Sequence, residues 1–254
     1  QLGTPLFNRT HRGMELSDRG GKQIFDIVAR ALAELDEAEN KLKEINSTAT
    51  GTIRISASDT IFSYVVIDKI AEYHEKFPDV KINLINCITT ETLDLLKNNK
   101  CDIAFLNLPV DDKDINLTSV IMPLHDTFVA NKNYAALAED VQPLKSMHDY
   151  PLLMLDQNTV TRKAIINFSH SIGVHLHPEV ECGSLELMIQ LAKNGVGIAC
   201  VPKEYVRREL NDDKTLFEIR TEPALPARSI GIAFPKNQPI SYATKEFFKL
   251  FNKE

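Results

Sequence analysis

The chain has 254 residues, of which 43% are hydrophobic and 25% charged, and its formal net charge is −6. These values are typical of a globular protein and exclude collagen-like, low-complexity and disulfide-rich chains. The four cysteines are scattered without a CxxC pair, which predicts reduced thiols and a cytoplasmic location. No apolar run reaches the ~18 residues that a membrane-spanning helix needs, so we expect no membrane partner.

The N-terminal residues 1–22 carry four basic and two acidic side chains, whereas the rest of the chain is acidic. Such a basic end predicts contact with a polyanion, although four basic residues in 22 also arise by chance. Two short arms with apolar residues, 6–7 and 14–16, flank a polar segment that ends at Gly13, which predicts a β-hairpin. Ser17 then has the side chain of a helix N-cap.

A helix is predicted from residue 17 to about residue 46, because this segment has no proline and its two glycines fall in the first turn. Its apolar residues are spaced alternately four and three positions apart, which is the heptad spacing of a coiled coil. We therefore predict that this helix pairs with a second copy; the alternative is a long helix lying on the body of its own chain. The predicted dimer seam consists of Ile24, Val28, Ala31, Leu35, Ala38, Leu42 and Ile45.

After a small polar linker at 46–51, strand-like and helix-like segments alternate to the end of the chain. The predicted strands are 52–57, 80–85, 102–106, 117–121, 126–130, 152–155, 179–182, 197–201, 216–219 and 229–234, and the predicted helices are 63–77, 90–98, 160–172, 185–193, 202–209 and 242–251. This alternation predicts βαβ units with parallel pairing, arranged in two α/β lobes.

Residues rich in hydroxyl, amide or glycine groups follow four of these strands, where the chain enters a helix. They occupy 56–60, 88–90, 156–161 and 183–184. Ligands of open α/β sheets bind beyond the carboxyl ends of the strands, and helix N-termini attract anions, so we predict one shared cleft for a small anion. The alternative is that each hydroxyl only caps its own helix.

Motifs for catalysis or cofactor binding are missing from the sequence. Residues 195–200 lack the third glycine of a dinucleotide fingerprint and precede a strand, and no P-loop, HExxH or GxSxG sequence occurs. The densest metal-capable group is His170, His175, His177 and Glu179, whose spacing matches no recognised site. We therefore predict no catalytic residues, no metal and no cofactor, and do not expect an enzyme.

Several segments, in the order in which they occur, are similar to LysR-type transcriptional regulators. They are 2–9, 16–20, 51–56, 77–80, 101–105 and 195–202. The family's winged helix-turn-helix begins upstream of the residue that matches Gln1, so we expect a truncated chain that keeps the wing and the last residues of the recognition helix; the alternative is a gene product that lacks its DNA reader. A cysteine of the peroxide-sensing branch lies near the position of Val160, where this chain has none, so that mechanism is not expected.

The resemblance implies an α/β fold: a two-lobed, periplasmic-binding-protein-like (type II) effector domain preceded by a long linker helix and a remnant wing. The implied division is 1–16 for the wing, 17–46 for the linker and dimerisation helix, 52–127 plus 233–254 for lobe I, and 128–232 for lobe II. The crossovers between the lobes are expected near 128–130 and 230–234.

The resemblance also implies a ligand-responsive bacterial regulator that binds promoter DNA, a small effector and further copies of itself as a dimer or tetramer. Arg9 and Arg12 of the wing would contact DNA phosphates without reading sequence. In the cleft, Thr60 and Thr89 match ligand-contacting hydroxyls of the family, Thr90 is adjacent, and Thr161 and Ser184 lie at matching helix starts. Arg162 could add a positive charge there or pair with a surface acid. The alternative function is a transporter's solute-binding protein, which shares the two-lobed body.

Overall fold

The N-terminal hairpin is present in the computed structural model, which describes residues 3–11, 13–45, 49–236 and 238–252. Strand β1 (Phe7–Thr10) pairs antiparallel with β2 (Gly13–Leu16), and Gly13 has a φ of +124°, which favours glycine. The Ser17 hydroxyl then accepts hydrogen bonds from the amides of Gly20 at 3.2 Å and Gly21 at 2.9 Å. The Ser17 hydroxyl thus accepts amides of the following turn, as predicted, but the helix itself begins at Gly21 and not at residue 17, because residues 18–20 form a turn.

Helix α1 (Gly21–Ile45) leaves its apolar stripe uncovered by the rest of the chain. The seam side chains of Val28, Leu35 and Leu42 are 46%, 64% and 62% exposed, although α1 also contacts the C-terminal helix. Exposed apolar residues at the neighbouring positions 25 and 32 make the stripe wider than predicted. The side chain of Ile45 and the linker residues 46–48 lie outside the described residues. Pairing of α1 with a second copy stays a prediction.

The first sheet has five strands in the order β4-β3-β5-β14-β6. These strands are β3 (Gly51–Ala57), β4 (Val80–Asn86), β5 (Ile103–Leu108), β6 (Ile115–Leu124) and β14 (Arg228–Pro235). Its helices are α2 (Asp59–Ile61), a π turn (Phe62–Val66) with α3 (Ile67–Lys76) directly after it, α4 (Thr89–Lys97) and α8 (Tyr242–Lys249). Strand β3 is parallel to both neighbours, whereas β14 is antiparallel to β5 and β6.

The second sheet has the order β10-β9-β11-β7-β12. Its strands are β7 (Asp126–Ala130), β9 (Leu152–Leu155), β10 (Val180–Cys182), β11 (Ile198–Pro202) and β12 (Phe217–Ile219), and a short ladder joins β8 (Gln142–Pro143) to β13 (Thr221–Glu222). Its helices are α5 (Val160–Ser171), α6 (Leu185–Lys193) and α7 (Arg207–Asn211), with 3₁₀ turns at Lys132–Ala138, Leu144–Asp149 and Lys203–Val206. Strand β9 is parallel to both neighbours, whereas β7 is antiparallel to β11 and β12.

The mixed α/β, two-sheet fold confirms the predicted fold class, with three local corrections. Pairing is parallel only in part, because one strand in each sheet, β14 in the first and β7 in the second, runs antiparallel to both of its neighbours. The helical segment predicted from residue 63 begins at Asp59, since the Ser58 hydroxyl accepts the amide of Ile61 at 3.4 Å. The short strands β8 and β13 and two 3₁₀ turns were not predicted.

The passages between the two sheets lie next to the predicted lobe boundaries. Strand β7 belongs entirely to the second sheet and β14 entirely to the first, so the boundaries at 127/128 and 232/233 would each divide a strand. We therefore place the crossovers at His125, between β6 and β7, and just before Arg228. The division into lobes itself stays a proposal.

Candidate functional site

A cleft lies between the two sheets and is lined from both. It has a volume of about 570 Å³, its open mouth included. The lining residues are Ser58, Thr60, Ile61, Ile88, Thr89, Asn107, Leu155, Thr159, Val160, Thr161, Gly183, Leu185, Pro202, Tyr205 and Arg228. Four helices, α2, α4, α5 and α6, begin on this cleft, two from each sheet.

The sequence caps the helix ends locally and leaves other first-turn amides available. Thr159 accepts the amide of Arg162 at 3.2 Å at the start of α5, and Ser58 does the same for α2. At α4 the Glu91 carboxylate accepts the backbone amide of Ile88 at 3.3 Å. The positive ends of these helix dipoles therefore meet at one place, which is an arrangement that favours an anion.

Three of the five predicted contact residues line the cleft. Thr60 is half-buried there, whereas Thr89 and Thr161 are buried. Thr89 also holds the cleft wall together, because its hydroxyl accepts the backbone amide of Asn107 at 3.3 Å.

The other two lie outside the lining. Thr90 is exposed on α4. The Ser184 hydroxyl accepts the amide of Leu187 at 3.3 Å and so caps α6, while its neighbour Gly183 lines the cleft. The structure therefore brings together one predicted hydroxyl from each of α2, α4 and α5.

An arginine that the sequence did not reveal contributes a cationic side chain. Arg228 lines the cleft, and its guanidinium makes two hydrogen bonds to Asp126, of which the Nη2–Oδ1 bond measures 2.9 Å. Its Nη1 donates to Oδ1 of Asn107 at 2.9 Å. The side chains of Arg228 and Asp126 are 4% and 1% exposed, so this ion pair is buried. A single arginine at the start of a strand carries no motif, and only the fold brings it to Asp126.

Tyr205, which packs against Tyr64, adds an aromatic residue to the cleft lining that was also not predicted. Tyr205 lines the cleft and is buried, and its ring lies 4.6 Å from that of Tyr64, centroid to centroid, at an angle of 30°. Burial raises the pKa of Tyr205, so this phenol is protonated at neutral pH.

Arg162 pairs with an acid outside the cleft lining. Its Nη2 lies 3.4 Å from Oε1 of Glu181, and burial lowers the pKa of the guanidinium. This contact corresponds to the second of the two roles considered for Arg162. On the wing, Arg9 is exposed, whereas Arg12 lies outside the described residues.

The remaining candidates form no site in the part of the chain that the structure covers. No group of three or more histidine, cysteine, aspartate or glutamate side chains there could hold a metal ion. The rings of His170 and His175 instead pack against each other at 4.9 Å. The four cysteines are free thiols. No helix among the described residues is long and apolar enough to cross a membrane.

Comparison with known proteins finds transcriptional regulators among the relatives of this chain. The chain is 27% identical over 205 residues to the HTH-type transcriptional regulator YofA of Bacillus subtilis, a match covering 81% of this chain and 68% of YofA. It is 25% identical to the transcriptional activator CmpR of Synechocystis, over 78% of this chain and 64% of CmpR. The matched part is thus about two thirds of these relatives' length. Both names favour a regulator over a transporter's solute-binding protein.

The regulatory domain of CcmR from Synechocystis, solved in complex with 2-PG, has the same fold. It aligns with a TM-score of 0.71 at 19% identity, covering 80% of this chain and 96% of that domain. The family model described as the LysR substrate binding domain matches residues 46–254, which is most of the chain. These findings confirm the resemblance read from the sequence: the chain belongs to the LysR substrate-binding domain family.

Proposed function

We propose that this chain is the effector-binding part of a cytoplasmic LysR-type transcriptional regulator and that its cleft binds a small organic anion, most simply a carboxylate. The observation that carries this proposal is the convergence of four helix N-termini and Arg228 on one cleft between two sheets. Both sheets contribute residues to the lining, so a ligand that contacts both sides would favour an arrangement in which the two lobes lie close together around it.

The chemistry of the lining favours an organic anion. Its charged side chain is that of Arg228, which is paired with Asp126 outside the lining, and the described lining residues themselves include no carboxylate to repel an anion. Six lining residues are apolar or proline, which suits a carbon skeleton: Ile61, Ile88, Leu155, Val160, Leu185 and Pro202.

The same lining favours binding over catalysis. The described residues that line it include no histidine, cysteine or carboxylate that could act as a general base or a strong nucleophile. The names of the relatives as regulators point in the same direction. We therefore propose a sensor that releases its ligand unchanged and needs no cofactor.

The partners that we propose are promoter DNA and further copies of this chain. Exposed apolar side chains on α1, such as Leu35 and Leu42, suit a helix pair that brings two copies together. We propose that Arg9, which is exposed on the wing, contacts a DNA phosphate, which would add affinity without sequence preference.

Thr60 offers the sharpest test of the cleft. Its hydroxyl has no hydrogen-bond partner among the described residues, so Thr60→Val removes a ligand contact while leaving the packing shape unchanged. Thr90→Val is the matched control, because Thr90 is exposed outside the lining. Thermal shift with succinate, malate, benzoate, inorganic phosphate and 2-PG first identifies a binding anion, since a ligand at 100 times its Kd stabilises by ~2.7 kcal/mol.

Calorimetry on that anion then compares the variants. Thr60→Val is expected to weaken binding about tenfold, which corresponds to one lost hydrogen bond of ~1.4 kcal/mol, with little change in melting temperature. Thr90→Val should bind as the parent does. If Thr60→Val also binds as tightly as the parent, the anion is held elsewhere and the proposal fails.

A further inference from the structure

The hydroxyl of Tyr205 is a buried polar group without a partner. The residue is 4% exposed and lines the cleft, and its Oη has no hydrogen-bond partner among the described residues. Buried polar atoms almost always have a hydrogen-bond partner, because leaving one unpaired costs free energy. An unpaired hydroxyl on a residue that lines a cleft is therefore a candidate for a hydrogen bond to a ligand.

Packing from both sheets fixes the position of this hydroxyl. Tyr205 lies in the 3₁₀ turn that follows β11, and its ring stacks on Tyr64, which lies in the π turn on the first sheet. The Tyr64 hydroxyl in turn donates to Oε2 of Glu186 on α6 at 3.4 Å. A phenol held in this way can rotate only its O–H bond, so it cannot turn away to solvent.

The chemical state of the hydroxyl makes it a donor. Burial raises the pKa of Tyr205, and although the positive charge of Arg228 acts in the opposite direction, the phenol keeps its proton at neutral pH. Arg228 lines the same cleft as Tyr205, so an anion held near that arginine brings oxygen acceptors close to the phenol.

We propose that the Tyr205 hydroxyl donates a hydrogen bond to an oxygen of the organic anion bound in the cleft and thereby determines which anions are accepted. This inference rests on the proposed function, because it needs an anion in the cleft. It adds that the preferred ligand places an oxygen against the second lobe at Tyr205. An analogue without that oxygen would leave the phenol unpaired and bind less well.

Tyr205→Phe tests this role, with Tyr64→Phe as the matched control from the same ring pair. Both changes remove one phenolic oxygen and keep the stack, but the Tyr64 hydroxyl is bonded to Glu186 and Tyr64 is not part of the lining. Without ligand, Tyr205→Phe should melt at the parent's temperature or above it, because an unpaired buried hydroxyl is removed. A clear fall in melting temperature would mean that the hydroxyl has a partner within the chain, and it would overturn the inference.

With the anion found in the thermal-shift panel, Tyr205→Phe should bind about tenfold or more weakly by calorimetry, and Tyr64→Phe should bind like the parent. If Thr60→Val weakens binding and Tyr205→Phe does not, the cleft binds the anion but Tyr205 takes no part, so only this inference fails. If neither change weakens binding, or no anion in the panel binds the parent, the proposed function fails and this inference fails with it.

Discussion

The buried ion pair between Arg228 and Asp126 allows a quantitative test of how the cleft keeps its cationic side chain. Asp126→Asn keeps the size of the side chain and removes its charge. Arg228 would retain the hydrogen bond to Oδ1 of Asn107, but its guanidinium, 4% exposed, would lose its counter-charge. Breaking a buried pair in this way costs about 3–5 kcal/mol, because a desolvated charge is left uncompensated.

The assay is thermal and urea unfolding of the ligand-free chain. For a chain of this size, ~3–5 kcal/mol corresponds to a fall in melting temperature of about 6–20 °C. The exposed pair between Arg208 and Asp213, with side chains 78% and 38% exposed, supplies the control. Asp213→Asn should change stability by less than ~1 kcal/mol, since solvent screens that pair.

A ligand measurement on the same variant separates stability from binding. Asp126→Asn leaves the charge of Arg228 unopposed beside the cleft, so an anion should bind more tightly to the folded variant than to the parent. Loss of stability together with a gain in affinity is the expected signature. A loss of less than ~1 kcal/mol in Asp126→Asn would refute the reasoning, because the pair would then contribute no more than a surface pair.

Two further predictions concern assembly and pH. Leu35→Glu, at a seam position that is 64% exposed in the single chain, should shift the mass measured by light scattering towards the monomer. Ala29→Glu, exposed on α1 but outside the seam and its flanking positions, should leave the mass unchanged. Equal masses for the parent and Leu35→Glu would exclude the seam as the contact. Burial raises the pKa of Glu204, but hydrogen bonds from the backbone and ring of His125 outweigh it, so the folded pKa lies below 4.5. A carboxyl whose pKa is lowered in the folded state adds stability at pH values above its unfolded pKa, and this stability is lost as the pH falls through its folded pKa. Below about pH 4.5, the urea midpoint of the parent should therefore fall more steeply with pH than that of Glu204→Gln. Equal slopes for the two proteins in this acid range would contradict the prediction.

Most of the helix starts and most strands were predictable because their causes are local. Thr159 and Ser184 cap α5 and α6 through contacts three residues away, which a sequence displays directly. Of the two glycines in the 195–197 segment, Gly195 has a local cause, whereas Gly197 is required by a contact with a distant segment. Gly195 has a φ of +81° after α6, and a Cβ on Gly197 would lie 2.3 Å from the carbonyl oxygen of Pro151.

The parts of the cleft that escaped prediction depend on contacts between distant segments. Arg228 meets Asp126 across 102 positions and Asn107 across 121. Antiparallel insertion of β14 between β5 and β6 creates these contacts, whereas the alternating pattern of strands and helices suggested parallel pairing. For the same reason Ser184 was assigned to the cleft from its place before a helix, although the fold directs Gly183 there instead.

The ion pair lies at the connections between the two sheets, a position that supports the proposed role as a sensor. Asp126 is the first residue of β7, directly after the crossover at His125, and Arg228 is the first residue of β14, directly after the return crossover. The pair thus joins the two connections between the sheets, and its arginine also faces the cleft. In the function proposed above, a bound anion and Asp126 would both attract the same guanidinium, so we expect the charge of a ligand to act next to the two connections between the sheets. Asp126→Asn is therefore expected to change anion affinity as well as the stability of the fold.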